Sequence, residues 1–498
     1  MVLGRILLYV LIWAGLALLI AAAGIQYYWG EISVNQMMLN LVSVETEGGG
    51  GGIVWAGIMG VGVAPVVITA LIALWQFFRR RKSCGQPRRP RWIRHTVSAV
   101  LVAAVVVGGV TAFSATVGVE NYIKAANSEY DLVDYYVEPT VTNTEHKRNL
   151  VVIYLESGEA LLGDDQLFEK DAFAPLKEAT PASDGWQSTE GLVEFEGGGW
   201  TMAGVVATQC GVPLKGTAPR VDGLAQVGEG VSTYLGGVTC LGDVLARHGY
   251  TSVFLGGANS SFAAKDIFLS SHGYSEQKGL ADWRSAGEPE ENFRSDWGLS
   301  DARLMAHAKD RIDALHAEAE ATGQPFNLSL LTLDTHKPAH VFDYCNVDTQ
   351  YTDISVFSCS MTQVAGFVDH MKEKGYLDDT AVVIMGDHLK YLSADDAFLE
   401  HLDGGSTRSI FNRIWIPGRD KNSALRSGLD QLNMYPTLLE AAGLTLKNDE
   451  AGLGVSALAE RVPGSSAQAM DPNAYTELLN SHSPKFYRKA WAGEAAVR

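Results

Sequence analysis

Three uncharged apolar runs fill the first quarter of this chain and constrain the rest of it. They extend over Ile6–Tyr28, Ile53–Phe78 and Val97–Val119, without an Asp, Glu, Lys or Arg in any. A helix needs about 20 residues to cross a hydrocarbon layer ~30 Å thick, so each run is long enough for one span. Residues 1–120 are therefore expected to form a membrane anchor of about three transmembrane helices. The first run has a rival reading as a signal peptide, since it comes after a lone Arg5 and ends near Ala21-Ala22-Ala23. It is long for such a segment, and Tyr27, Tyr28 and Trp29 follow it like an interfacial aromatic belt. Its retention as a span is the expectation.

The loop between the second and third runs sets the orientation. Residues 79–95 hold Arg79-Arg80-Arg81-Lys82, Arg88, Arg89, Arg91 and Arg94 and no acidic residue. Such a loop stays in the cytoplasm, which places everything after Val119 outside. A formal net charge of −18 argues against the other use of a basic cluster, nucleic-acid binding. Of the five cysteines, Cys84 lies in this loop. The other four, Cys210, Cys240, Cys345 and Cys359, lie on the outer side, where disulfides persist. Three connectivities are open, with buried free thiols as the alternative; proximity favours Cys210–Cys240 and Cys345–Cys359.

Gly48–Gly52 marks a flexible loop between the first two spans. Residues 121–148 read as a juxtamembrane helix or linker over Asn121–Tyr136, then Pro139 and a polar connection over Val141–Arg148. A large domain is expected over 149–498. Asn149–Leu155 is a continuous β-branched and apolar run, as in a strand buried on both faces. Similar runs recur at Thr251–Leu255, Phe326–Leu333 and Thr380–Met385, with Ile410–Ile416 as a further candidate. Helical patterns lie between them at Leu241–His248, Asp301–Thr322, Cys359–Lys374 and Leu432–Ala442. This alternation predicts an α/β fold, a mostly parallel sheet sandwiched by helices, with ligands at the carboxyl ends of the strands.

Those ends carry chemistry. Glu156-Ser157 follows the first strand, Asp334-Thr335-His336-Lys337-Pro338 the third, and Gly386-Asp387-His388 the fourth. Carboxylates and an imidazole converging there would suit one divalent cation, Zn²⁺ or Mn²⁺. Taken singly, each group has a blander role as a cap or solvated loop residue; three at one sheet edge are harder to dismiss. The glycine-rich turn Glu196-Gly197-Gly198-Gly199-Trp200 places Thr201 at a helix start. A hydroxyl there either caps the helix or serves as a nucleophile activated by a metal beside the anion-binding helix N-terminus.

The strand ending in Glu156, Thr201 after its glycine-rich turn, Gly386-Asp387-His388 and Met434-Tyr435-Pro436-Thr437-Leu438-Leu439 together resemble the alkaline phosphatase and sulfatase superfamily. Within it, the chain is most similar to the phosphoglycerol transferases of the bacterial envelope, which include a periplasmic-glucan transferase and, more distantly, lipoteichoic acid synthase. The matches are Tyr135–Pro139, Asn149–Ser157, Trp200-Thr201 through Gln209–Leu214, Gly256–Asn259, Phe262, Lys265, His272-Gly273-Tyr274, Asp296-Trp297-Gly298 and Asp334–Pro338. They cover nearly all of the outer domain, and their order and spacing are more specific than any one piece.

The resemblance implies an alkaline phosphatase-like fold in a multi-pass protein of the bacterial inner membrane, with a periplasmic catalytic domain. It implies that Glu156, Thr201, Asp387 and His388 hold one divalent metal, Mn²⁺ foremost with Zn²⁺ or Mg²⁺ as alternatives. Thr201 would attack the phosphorus of phosphatidylglycerol, and an envelope glycan would accept the phosphoglycerol. His336 would contact the phosphoglycerol or protonate a departing oxygen; Lys265 and Asn259 would bind substrate. Two positions depart from lipoteichoic acid synthases, which have an arginine at Lys265 and an aromatic residue at Ala263. A true sulfatase needs Cys or Ser within Cys/Ser-x-Pro-x-Arg, whereas Thr201 is followed by Met-Ala-Gly-Val. A phosphoethanolamine transferase fits the Gln209-Cys210-Gly211 and Asp334-Thr335-His336 segments less well. A catalytically silent sensor or scaffold would have lost a ligand, and none is missing.

Overall fold

A computed structural model describes residues 2–29, 32–34, 37, 55–82, 91–216, 233–392, 398–402 and 407–492. The Gly48–Gly52 loop, Cys84, Arg88 and Arg89 lie outside the described residues. The apolar runs form helices α1 (Val2–Trp29), α2 (Ala64–Lys82) and α3 (Arg91–Thr116). A π-helical stretch, Ile58–Val63, leads into α2. Segments Ile6–Tyr27, Trp55–Arg79 and Thr96–Thr116 are long and apolar enough to cross a membrane. Small residues let α1 and α3 touch: a Cβ on Gly109 would run into the Gly15 carbonyl, and one on Gly15 would meet Val105 Cγ1 at 2.9 Å.

Gly118 takes the left-handed conformation at φ +62°, which turns the chain from α3 into the short helix α4 (Val119–Ala126). The expected juxtamembrane helix thus exists but stops ten residues before Tyr136. The segment after it is not a free linker. Leu132 is buried in the domain core, and Val141–Asn143 pairs antiparallel with Thr445–Leu446. The domain thereby draws in residues N-terminal to Asn149.

Its centre is a six-stranded sheet: β1 (Asn149–Leu155), β2 (Thr251–Gly256), β3 (Tyr274–Lys278), β4 (Phe326–Leu331), β5 (Thr380–Gly386) and β6 (Asn412–Trp415). Their spatial order is β3-β2-β4-β1-β5-β6, parallel except for β6, which runs antiparallel to β5. Every residue of β1 and β5 is buried. Along β1, Leu150, Val152 and Tyr154 enter the core on one face, while Val151, Ile153 and Leu155 enter the other. That two-sided burial is what the continuous apolar runs encode.

Helices α5 (Thr201–Cys210), α6 (Leu241–Arg247), α7 (Lys265–Ser271), α8 (Asp301–Thr322), α9 (Thr352–Glu373) and α10 (Met434–Ala441) surround the sheet. Residues of α5, α6 and α10 pack on the first face and those of α8 and α9 on the second. The sequence reading overextends two strands: β4 ends at Leu331 and β6 covers only Asn412–Trp415. It starts α9 late, at Cys359 instead of Thr352. Edge strand β3 escaped it because only Tyr274 of its five residues is fully buried, leaving no apolar run.

Both proximity-favoured disulfides form, Cys210–Cys240 and Cys345–Cys359. The first joins the last residue of α5 to the N-cap of α6 across a sequence separation of 30. Closing a loop of that length removes about 3–4 kcal/mol of unfolded-state entropy in the chain-entropy account. The double variant Cys210→Ala, Cys240→Ala should therefore melt several degrees lower under thermal denaturation; an unchanged midpoint would show that this link adds no stability.

Candidate active site

The register of the central strands creates the site. Leu155 of β1 pairs with Gly386 of β5, and Tyr154 pairs with Leu331 of β4. The next residues outward, Glu156, Asp387 and Thr332, consequently share one edge of the sheet. The Glu156 amide donates to Thr332 Oγ1 at 2.9 Å, and Thr335 Oγ1 donates to the Glu156 carbonyl at 2.6 Å. Ser157, at φ +56°, donates through its amide to Asp387 Oδ1 (2.9 Å) and through its hydroxyl to Glu156 Oε1 (2.8 Å).

Ligand atoms of Glu156, Asp387 and His388 lie within 4.8 Å of one another, and all three residues are buried. His388 Nδ1 faces the Leu389 carbonyl at 2.7 Å, which leaves Nε2 3.5 Å from both Glu156 Oε1 and Asp387 Oδ2. Burial pushes the Asp387 carboxyl up to about 7, with Glu156 adding to the rise and His388 opposing it. Burial pulls the His388 imidazole down, but Asp387, Glu156 and Glu194 outweigh it and raise the group to about 9. Burial also raises Glu156, yet His336 and His388 bring it below its ordinary value. Asp387 Oδ2 is buried and accepts no hydrogen bond. Two close acids, one idle carboxylate oxygen and an imidazole nitrogen turned toward them are a donor set that fits a divalent cation.

Thr201 completes the cluster. It is the first residue of α5, and Trp200 is the N-cap in extended conformation without a side-chain capping bond. The Thr201 hydroxyl reaches Glu156 Oε2 at 3.3 Å, so the helix-capping alternative is not what its side chain does. Gly204, one turn later, packs directly on the Asp387 carbonyl, where a Cβ would collide. Gln431 Nε2 donates to that same carbonyl at 2.8 Å. Helix α5 and the Asp387 loop are therefore one packed unit.

A second triplet, Cys240, Asp243 and His272, also has metal-like spacing. Its sulfur is in the disulfide to Cys210, and His272 is held by Asp243 Oδ2 and the Tyr234 carbonyl, both at 2.7 Å. It is structural.

His336 sits on a loop beside the cluster. Its Nδ1 faces the Lys337 carbonyl at 2.7 Å, and its ring lies 4.0 Å from that of Trp297. Burial lowers its pKa against the pull of Glu156. Lys265, first in α7, is also buried, its ammonium 5.8 Å from the Phe254 ring centroid. Burial brings it down to about 8, opposed by Glu156, Asp266 and Asp387. Asn259 makes a local turn instead, its Oδ1 accepting from the Ser261 amide (3.1 Å) and hydroxyl (2.9 Å).

Three groups escaped the sequence reading. Arg294, fully buried, donates to the carbonyls of Leu333 (3.2 Å), Asp334 (3.0 Å), His336 (3.0 Å) and Pro338 (2.7 Å) and pairs with Asp296 at 2.9 Å. It fastens the His336 loop. Glu194 Oε2 accepts from the Leu389 amide at 2.6 Å. Asp301 exchanges bonds with Asp334: its amide donates to Asp334 Oδ2 (3.0 Å), and the Asp334 amide donates to Asp301 Oδ2 (3.1 Å). Asp334 is thereby a support for the loop. The one available signal was Asp296-Trp297-Gly298, two residues beyond Arg294.

The sulfatase family profile matches residues 229–444, a stretch that holds Lys265, His336, Asp387 and His388 but begins after Glu156 and Thr201. Phosphoglycerol transferase I of Salmonella paratyphi B is 32% identical over 392 residues, 74% of this chain and 47% of that protein. The solved lipoteichoic acid synthase LtaP of Listeria monocytogenes superposes with a TM-score of 0.52 at 14% identity, over 71% of this chain and 95% of that one. Over residues 229–444 the chain is thus similar in sequence to the sulfatase family. Its fold is the alkaline phosphatase-like sheet between helical layers. It spans about half the length of the curated phosphoglycerol transferases it matches.

The contact between α5 and the Asp387 loop has no slack at Gly204. Gly204→Ala should force the helix away from Asp387 and lower the thermal shift produced by an added divalent cation. A variant with a wild-type shift would show that the contact does not set the geometry of the cluster.

Proposed function

We propose that this domain transfers phosphoglycerol from phosphatidylglycerol to an envelope glycan through a phosphodiester on Thr201. The observation that carries the reading is the Thr201 hydroxyl at the start of α5, bonded to Glu156 in the buried cluster with Asp387 and His388. The likeness to proteins named phosphoglycerol transferase and lipoteichoic acid synthase supports the headgroup. Glu156, Asp387, His388 and the Thr201 oxygen would hold one divalent ion, Mn²⁺ by preference over Zn²⁺ or Mg²⁺. When bound, such an ion supplies Lewis-acid stabilisation of negative charge on oxygen.

The chain's own groups do the rest. Thr201 Oγ attacks phosphorus and loses its proton to solvent as the bond from phosphorus to the diacylglycerol oxygen breaks, while the free amides of the first turn of α5 receive the phosphoryl oxygens. Lys265 adds a positive charge to hold the phosphate. His336, neutral at pH 7 with Nδ1–H on the Lys337 carbonyl, presents Nε2 as an acceptor. In that state it takes a hydrogen bond from a glycerol hydroxyl, or the proton of the incoming sugar hydroxyl in the second step. To protonate the departing diacylglycerol oxygen, Nε2 must first gain a proton. In this reading Asn259 would also bind substrate.

The anchor fits the same reading. The basic residues 79–95 keep their loop in the cytoplasm, which makes the protein multi-pass in the inner membrane with the catalytic domain, residues 149–498 and the segment stitched to it, in the periplasm. Two disulfides accord with that oxidising compartment.

Thr201→Ala should abolish transfer from radiolabelled phosphatidylglycerol while the melting midpoint stays near wild type. Exhaustive chelation should stop the wild-type reaction, and Asp387→Asn should remove the rise in melting temperature on adding Mn²⁺. Full transfer by Thr201→Ala, or by the chelated enzyme, would sink the mechanism. Mass spectrometry of the glycan product distinguishes phosphoglycerol from phosphoethanolamine.

Lys265 gives the pH dependence its sign. It binds phosphate only when protonated, so the apparent KM for the donor should rise as pH climbs through about 8. Lys265→Arg should move that limb to higher pH, because a guanidinium keeps its proton. A KM flat across pH 7–9 in both enzymes would remove Lys265 from phosphate binding.

A further inference from the structure

A cavity of about 440 Å³ lies between the C-terminal end of the third span and the nucleophile turn, a size typical of small-molecule sites. Its walls come from three parts of the chain, Ile32–Val34 after α1 among them, and its domain side carries Glu194, Glu196, Lys215, Lys390 and Arg408. Ala115, Asn121 and Tyr122 belong to α3 and α4; Trp200 and Leu389 belong to the domain. Each of the latter two is one residue from a site group, Trp200 before Thr201 and Leu389 after His388.

The joint between the α4 and domain walls is built from specific bonds. Asn121 Nδ2 donates to Glu196 Oε1 at 3.4 Å, and Asn480 Nδ2 donates to Glu196 Oε2 at 2.5 Å. Glu196 opens the glycine-rich turn that ends at Thr201. The Tyr122 and His482 rings lie 4.3 Å apart, the His482 amide donates to the Ala125 carbonyl at 3.2 Å, and Ser128 Oγ donates to Glu477 at 2.8 Å. The anchor is thus fastened to the turn that carries the nucleophile, with the cavity between.

A ligand filling this space touches the end of a membrane-spanning helix on one side and the neighbours of Thr201 and His388 on the other. A water-soluble glycan gains nothing from a wall supplied by a span. An amphiphile entering from the bilayer needs that arrangement, its apolar part on the span and its head toward Thr201. We propose that this cavity, walled by Ala115 at the end of the third span, by Asn121 and Tyr122 of α4 and by Trp200 and Leu389 of the domain, seats the glycerol backbone and upper acyl carbons of a diacyl phospholipid donor. The anchor is then part of the donor site. The fate of the headgroup rests on the transfer reading above; lipid binding does not.

The test uses the full chain in phosphatidylcholine vesicles containing phosphatidylglycerol with a diazirine on its upper acyl chain. Photolabelling of the Thr201→Ala protein should mark peptides containing residues 115–122 together with 195–200 or 389–392. Ala115→Trp, which fills the cavity, should remove that labelling. In the wild-type background it should raise the apparent KM for vesicular phosphatidylglycerol about tenfold or more. Ala103→Trp, at an exposed position farther down α3, should do neither. Labelling confined to span surfaces, or unaffected by Ala115→Trp, would overturn the proposal even if transfer proceeds. Cavity labelling by a wild-type protein that transfers no phosphoglycerol would overturn the transfer reading and uphold the lipid site.

Discussion

The pairing of β1 with β5 is the constraint on which the rest of the site depends. Once Leu155 stands opposite Gly386, Glu156 and Asp387 emerge side by side into a buried edge. Two carboxylates in such a place are costly unless each is bonded or neutralised. The surrounding residues answer that cost. Ser157 bonds to both, the His388 amide donates to Asp387 Oδ1 at 2.8 Å, and Thr201 reaches Glu156. Gly158 and Gly386 let the two strand ends approach, since a Cβ on Gly158 would meet Gly386 Cα at 2.7 Å. One oxygen, Asp387 Oδ2, accepts no hydrogen bond and faces His388 Nε2 at 3.5 Å.

A second buried system keeps the His336 loop rigid beside this cluster. Arg294 spends its guanidinium on main-chain carbonyls of residues 333–338 and on Asp296. Behind it, burial and the nearby Asp301 raise Asp334 well above the ordinary range of a carboxyl group, and burial raises Asp301 too. His336 inherits its orientation from this scaffold, because its Nδ1 is committed to Lys337 and its ring to Trp297. The imidazole nitrogen that remains is directed by packing set up more than thirty residues earlier in the chain.

The sequence shows what is periodic or chemically conspicuous. Strands buried on both faces, such as β1 and β5, read as continuous apolar runs, and the acids after them stand out because nothing apolar comes next. Cys210–Cys240 and Cys345–Cys359 were legible because proximity favoured them. Edge strand β3 was not, since Ser275–Lys278 looks polar when only one side of a strand is covered. Arg294 was illegible for a different reason. Its partners are carbonyl oxygens, which have no signature in sequence, and a buried arginine looks like any other. Glu194 shares that fate, as its role arises from a main-chain amide. The end of α4 depended on contacts with Glu477–His482, far away in sequence.

Tethering a domain to the bilayer raises the effective concentration of a lipid substrate, but a flexible tether would serve for that. This chain does not have one between α3 and the domain. Gly118 turns α3 into α4, α4 is bonded to Glu196 and the C-terminal segment, and the residues after α4 are paired into the domain at Val137 and Val141. Such fixation spends conformational entropy at each residue it orders, so it calls for a reason beyond proximity. Orientation supplies one. A nucleophile at a helix N-terminus attacks along one direction, and a lipid held in a bilayer presents its phosphate from one side. Under the transfer proposed above, fixing α4 against the turn that carries Thr201 would align those two directions before the substrate arrives, which is the entropy an enzyme gains from positioning its reactants.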